Sequence, residues 1–125
     1  MNGFKKRVLL VDNEPSFTRM MRLNLEKTGG YEVREENSGA RALEAAREFH
    51  PDIILLDVIM PDMDGGAVAS QIQAEEDLQG TSIVFLTAVL SKSEVPPGGS
   101  RLNFIPCIAK PVSAAEIIAC IEEHT

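Results

Sequence analysis

Two aspartates, a threonine and a lysine stand where apolar runs of the chain stop. Asp12 closes Arg7-Val8-Leu9-Leu10-Val11, Asp57 closes Ile53-Ile54-Leu55-Leu56, and Thr87 closes Ile83-Val84-Phe85-Leu86. Lys110 follows the run that ends at Ile108. Two carboxylates forced together repel, and burial makes the repulsion worse. A divalent cation resolves that conflict. Few ligands, all of them oxygen, suit Mg²⁺, which keeps several waters and leaves positions open for a phosphate. Lys110 would add a mobile positive charge on the opposite side. Such a site stabilises extra negative charge where Asp57 presents a nucleophilic oxygen. Taken singly, each residue has a plainer role: Asp12 or Asp57 as a helix cap or loop acid, Thr87 as a strand-end hydroxyl, Lys110 as a surface lysine before Pro111. Their joint meaning depends on a fold that gathers them.

The order of elements supplies that fold. The three apolar runs read as strands buried on both faces, and Tyr31 to Glu35 alternates like a strand. Phe104 to Ile108 reads as a last short strand. Between them, Asn13 is positioned to cap a helix with Pro15 in its first turn. Phe17, Met20, Met21 and Leu25 mark the inward stripe of that helix, and Gly29-Gly30 ends it. Ser38 can cap a second helix that buries Ala42, Leu43, Ala46 and Phe49 before Pro51. Pro61 to Gly66 reads as a loop, with a third helix from Ala67 to about Glu75. Ser113 and Glu116 form a capping box for a final helix over Ile117, Ile118 and Ile121. Strand alternates with helix throughout, which predicts one doubly wound α/β domain over residues 1–125 with a five-stranded parallel sheet. The weak position is Ser91 to Asn103, where Pro96-Pro97-Gly98-Gly99 predicts a loop or an irregular, shortened fourth helix. In an open parallel sheet the carboxyl ends of the strands share one edge, where ligands bind at the reversal of strand order. Residues 45, 30 and 23 positions apart are thereby brought to one place.

Bulk properties exclude several function classes. A chain of 125 residues with 44% hydrophobic and 25% charged content suits one globular domain. A net charge of −7 argues against a nucleic-acid surface, and Lys5-Lys6-Arg7 reads as a solvated strand entry. No run approaches the roughly 20 apolar residues needed to span a bilayer, and no signal-peptide core is present, so a cytoplasmic location is expected. Cys107 and Cys120 lack metal-ligand spacing and read as reduced, small core residues. No nucleotide-binding glycine motif follows the first strand.

The segments Val11-Asp12-Asn13-Glu14, Asp57-Val58-Ile59-Met60-Pro61 with Gly65, Thr87-Ala88 and Lys110-Pro111 together resemble the receiver domains of two-component response regulators. The resemblance covers essentially the whole chain. It implies a flavodoxin-like strand order, 2-1-3-4-5, and Asp57 as acceptor of a phosphoryl group from a histidine kinase or a histidine phosphotransfer protein. It implies Mg²⁺ held by Asp12, Asp57 and the main-chain carbonyl of Ile59, with Asn13 in the second acidic position. Thr87 and Lys110 would each bind a phosphoryl oxygen, and the Lys110-Pro111 peptide would be cis. Movement of Thr87 toward the new oxygens would bias a two-state surface read by a downstream protein. Such a domain phosphorylates and dephosphorylates itself and is not a turnover enzyme.

Two departures from the family pattern stand out. Asn13 replaces the usual second aspartate, which lowers the expected cation affinity. Glu14 could compensate but reads better as an acid near a helix start. Cys107 replaces the usual aromatic three residues before the lysine, which puts the usual output surface in doubt. Two rivals follow. One is a pseudo-receiver, an interaction module of the same fold that is never phosphorylated. The other is an aspartate-nucleophile phosphohydrolase, which usually carries the nucleophile and a second acid two residues apart on the first strand; here Asp12 is followed by Asn13 and by Glu14, which reads as an acid near a helix start and not as part of the strand.

Overall fold

The apolar runs form the centre of a parallel sheet because their side chains find a helix layer on either face. The computed structural model describes residues 5–58, 64–87, 101–102, 105–110 and 112–125, with the backbone alone at Thr87, Arg101 and Leu102. Its strands are β1 (Lys6–Val11), β2 (Tyr31–Glu36), β3 (Ile53–Asp57), β4 (Ser82–Thr87), β5 (Arg101–Leu102) and β6 (Ile105–Ala109). The helices are α1 (Pro15–Lys27), α2 (Ala42–Phe49), α3 (Gly65–Gln73) and α4 (Ala114–His124). The sheet order is β2-β1-β3-β4-β6-β5, with β5 antiparallel to β6 and every other pairing parallel. Counting the parallel strands alone, the order is 2-1-3-4-5, as expected.

Alternation along each strand splits the core in two. Leu9, Val11, Ile54, Leu56 and Phe85 meet α2 and α3 through Ala42, Ala46, Val68 and Ile72. Val8, Leu10, Ile53, Leu55, Val84 and Leu86 meet α1 and α4 through Met21, Leu25, Ile117 and Ile121. The middle of each central strand is therefore apolar, and polarity returns at or just after its carboxyl end, at Asp12, Asp57 and Thr87.

Several local expectations need correction. The α1 N-cap is Glu14, in an extended conformation and without a side-chain cap, so Asn13 does not cap this helix. Pro15 does occupy its first turn, and Gly29 follows its end at φ 84°, a left-handed conformation open to glycine. The inward stripe of α1 holds Thr18, Met21 and Leu25, while Met20 is 48% exposed. Ser38 heads a short 3₁₀ turn (Gly39–Arg41) and makes no capping bond; α2 begins only at Ala42. α3 starts at Gly65, two residues earlier than expected, and a 3₁₀ turn occupies Glu76–Leu78. Arg101 and Leu102 pair with Pro106 and Ile105 where a loop was expected. Pro106 brings no N–H to that ladder, which suits a strand of only two residues at the sheet edge. The rest of the fourth-helix segment, residues 91–100 and 103, lies outside the described residues.

The capping box of α4 is present in both directions. The Ser113 hydroxyl accepts from the Glu116 N–H (3.1 Å), and the Glu116 carboxylate accepts from the Ser113 N–H (2.9 Å). Ser113→Ala is expected to cost about 1 kcal/mol. Urea unfolding checks this as a lower midpoint with an unchanged slope. Among the described residues no helix is long and apolar enough to cross a membrane. Cys107, half-buried, and Cys120, buried, are not joined in a disulfide.

Candidate functional site

Strand register explains why distant residues meet. Val11 lies opposite Leu56, so Asp12 comes level with Asp57 on the neighbouring strand. Asp57 lies opposite Leu86, and Thr87 opposite Ala109, immediately before Lys110. Alternation does the rest. Asp12 continues the series Val8-Leu10, Asp57 continues Ile53-Leu55, and Lys110 continues from Ile108, all on the face covered by α1 and α4. The same pleat that buries these aliphatic side chains turns both acids and the amine to one side.

The result is a compact charged cluster. Asp12 is fully buried and Asp57 nearly so. The Lys110 ammonium donates to Asp12 Oδ2 and lies 3.7 Å from Asp57 Oδ2. Glu14 Oε1 is 3.4 Å from the same nitrogen, on the solvent side. Phe17 of α1 covers the ammonium, with its ring centre 4.7 Å away. Burial is the largest influence on Lys110 and acts to lower its pKa. The Asp12 hydrogen bond and the charges of Asp12, Asp57 and Glu14 together outweigh it, so the ammonium is held above its ordinary value.

Asp12 is the most firmly held member. Its main-chain N–H donates to the Glu36 carbonyl (3.0 Å), and its Oδ1 accepts from the Glu14 N–H (3.0 Å). Its carbonyl accepts from Asn37 Nδ2 (2.7 Å). That amide also donates to the buried Thr18 hydroxyl (3.0 Å), which donates in turn to Glu35 Oε1 (2.9 Å). Asn37 directly follows β2 at the same sheet edge, and that position is the signal that could have found it. Thr18 gave no such signal, being one polar residue in an amphipathic helix.

Asp57 is placed by β3 and by the segment after it. Val58 donates to the Leu86 carbonyl (2.9 Å), and Gly65 donates to the Val58 carbonyl (2.9 Å). A Cβ at Gly65 would lie 2.6 Å from the Asp57 carbonyl oxygen and 2.7 Å from Val58 Cα. Only glycine lets α3 begin so close to the acid's own backbone.

Of the residues singled out from sequence, Asp12, Asp57 and Lys110 are thus in mutual contact or nearly so. Asn13 is exposed beside Asp12. Thr87 ends β4 at the same edge, with its side chain outside the described residues. Ile59, Met60, Pro61, Ala88 and Pro111 also lie outside them, and with them the Ile59 carbonyl and the Lys110-Pro111 peptide. Among the described residues no group of three His, Cys, Asp or Glu side chains is arranged as a metal's ligand set.

A family model for the response regulator receiver domain matches residues 8–122. The chain belongs to this family. The receiver domain is 30% identical over 122 residues to the polar-differentiation response regulator DivK of Brucella ovis, covering 95% of each chain. It is 32% identical over 119 residues to the DNA-binding response regulator MtrA of Mycolicibacterium smegmatis, which covers 95% of this receiver domain and 50% of MtrA. The chemotaxis protein CheY4 of Vibrio cholerae superposes with a TM-score of 0.82 at 25% identity, over 98% of this chain and 100% of CheY4. The signal receiver domain of NarL from Mycobacterium tuberculosis gives a TM-score of 0.79 at 29% identity, over 95% of this chain and 94% of that one. The receiver fold and the two-component family are therefore established.

Proposed function

We propose that this receiver domain, spanning residues 1–125, takes a phosphoryl group onto Asp57 from a histidine kinase or a histidine phosphotransfer protein in the cytoplasm. The donor's P–N bond breaks and a mixed anhydride forms on an Asp57 carboxylate oxygen. The observation that carries this reading is the convergence of Lys110 on both Asp12 and Asp57. Two buried carboxylates already share one positive charge there, so the pair is built to face cations. A single lysine leaves a formal surplus of one negative charge, before Glu14 is counted. Mg²⁺ fits that surplus, because it binds through one or two carboxylates and keeps its waters. Asp12 and Asp57 would hold it, with the Asn13 amide oxygen and the Ile59 carbonyl as further ligands. When bound, it neutralises the equatorial oxygens of the transferring group.

The chain's own residues do the remaining work. Asp57 supplies the nucleophile. Lys110, already 3.7 Å from Asp57 Oδ2, pairs with a phosphoryl oxygen. Thr87, at the end of β4, donates its hydroxyl to another. Phe17 shields the ammonium and keeps its charge effective. Phosphorylation then changes a surface that a downstream protein reads.

Asn13 and Cys107 favour a second reading, an interaction module of the same fold that needs no phosphorylation. Acetyl phosphate with Mg²⁺ separates the two. The expected result is a mass gain of one phosphoryl group, absent without Mg²⁺ and absent in Asp57→Asn. A folded wild-type chain that gains no mass leaves the interaction module.

Asn13 makes a quantitative prediction. It is uncharged and exposed beside Asp12, so Asn13→Asp adds a formal charge at the metal. Mg²⁺ binding is expected to tighten by about tenfold, equivalent to about 1.4 kcal/mol. Calorimetric titration of both proteins checks it; equal affinities would mean that residue 13 does not face the ion.

A further inference from the structure

The acid deepest in the site is held by a polar chain that no charge pattern of the sequence announces. We propose that Asn37 and Thr18 form a positioning pair that sets the metal-facing geometry of Asp12 and Asn13. The proposal rests on the reading of Asp12 as a cation ligand.

Hydrogen-bond logic fixes the orientation of the pair. The Glu35 carboxylate, in an ion pair with Arg22 (3.3 Å), only accepts. The Thr18 hydroxyl therefore spends its one proton toward Glu35 Oε1, with the Pro15 carbonyl (3.2 Å) as a second, longer acceptor. Its oxygen is left to accept, and the group that reaches it is Asn37 Nδ2. The same Nδ2 donates its other proton to the Asp12 carbonyl. An amide is the side chain this position requires: an aspartate of equal shape would set a carboxylate oxygen against that carbonyl. Thr18 is fully buried on α1, so the chain Glu35–Thr18–Asn37–Asp12 ties two strands and a helix to one peptide group.

That peptide group links Asp12 to Asn13, the two residues that reach the cation from β1. Strand pairing fixes the N–H of Asp12 through Glu36, but the ladder ends there. Beyond it the direction of the chain is set by the Asn37 bond to the carbonyl and the Glu14 N–H bond to Oδ1. Without Asn37, the Asp12–Asn13 peptide loses the bond on its carbonyl and keeps the Glu14 bond to Oδ1, so the two ligands lose part of their common alignment. The Asn37 amide bonds to Asp12 and Thr18, whereas Asp57 is placed by β3 and the Gly65 junction, so the nucleophile keeps its own supports. Groups that act behind a metal ligand in this way are typically worth about 10-fold or more in metal affinity.

The test measures Mg²⁺ affinity by calorimetry and phosphorylation by acetyl phosphate across a Mg²⁺ series. In Asn37→Ala and Thr18→Val the Mg²⁺ dissociation constant is expected to rise about 10-fold. The phosphorylation rate at saturating Mg²⁺ is expected to return to within about twofold of wild type, because the nucleophile has not moved. Thr18→Ser keeps the hydroxyl and is expected to restore wild-type affinity. Thermal melts of every variant confirm the fold. Wild-type affinity in Asn37→Ala would overturn the proposal. Equal weakening in Thr18→Val and Thr18→Ser would remove Thr18 from it, leaving packing as its role. Should the wild-type chain itself bind no Mg²⁺, the phosphoacceptor reading fails first, and the two failures remain distinct.

Discussion

Asp12→Ala is expected to weaken Mg²⁺ binding by at least about 10³-fold and to abolish phosphorylation at ordinary Mg²⁺ concentrations. Asp12 is fully buried, and its charge faces Lys110 and Asp57. Removing it leaves one carboxylate and one ammonium, a neutral pair with no surplus charge to attract an ion. A unit charge about 4 Å away is worth about 4 kcal/mol at an effective dielectric constant of about 20. Each 1.4 kcal/mol is about tenfold in affinity. The fold should survive, since Lys110 has Asp57 within 3.7 Å as a remaining partner. Calorimetry and phosphate incorporation check the effect. Binding within a few-fold of wild type would place the cation away from Asp12.

Gly65→Ala is expected to lower stability by about 3 kcal/mol and to slow phosphorylation as well. The added methyl would meet the Asp57 oxygen at 2.6 Å, Val58 Cα at 2.7 Å and the Val58 oxygen at 2.9 Å. All three are main-chain atoms, so no flexible side chain can give way, and the cost lies at the upper end of the usual range for overpacking. Relief requires shifting α3 from β3, and Asp57 sits at that junction. A displacement near 1 Å at a reacting group can cost on the order of 100-fold in rate. Gly66→Ala is the contrasting variant. The nearest atoms to its methyl among the described residues belong to the Asp64 carboxylate, the first at 3.3 Å, and that side chain can swing aside. Helix propensity then favours alanine by roughly 0.5–1 kcal/mol. Thermal unfolding should fall on the order of 10 °C for Gly65→Ala and hold or rise for Gly66→Ala. Equal melting temperatures for the two would refute the close approach.

These variants also show what the sequence made legible. The positions of Asp12, Asp57 and Lys110 followed from apolar runs that stop abruptly, because strand ends in a parallel sheet share an edge. The parity of each run fixes which face the final side chain takes, so the meeting of these three was readable before any coordinates. Helix starts were harder. Asn13 looked like a cap, but it is Glu14, with its extended backbone, that opens α1. Met20 looked like core because methionine is apolar, yet the inward position one turn before Met21 belongs to Thr18. A buried hydroxyl is stable only where partners satisfy it. Those partners, Asn37 and Glu35, come from β2 and its end, and no local pattern on α1 reveals them. The short β5 pairing was hidden for a similar reason, since two residues beside a Pro-Gly tract carry no period.

In the proposed function, Asp12 and Asp57 hold one divalent cation against the oxygen of Asp57 that takes the phosphoryl group. A crystal structure with Mg²⁺ and beryllofluoride tests it most directly. The expected density shows beryllium bonded to an Asp57 carboxylate oxygen, a cation touching both aspartates, and the Lys110 ammonium within hydrogen-bond reach of a fluoride. Beryllofluoride absent from Asp57, or a cation that contacts neither aspartate, would contradict it.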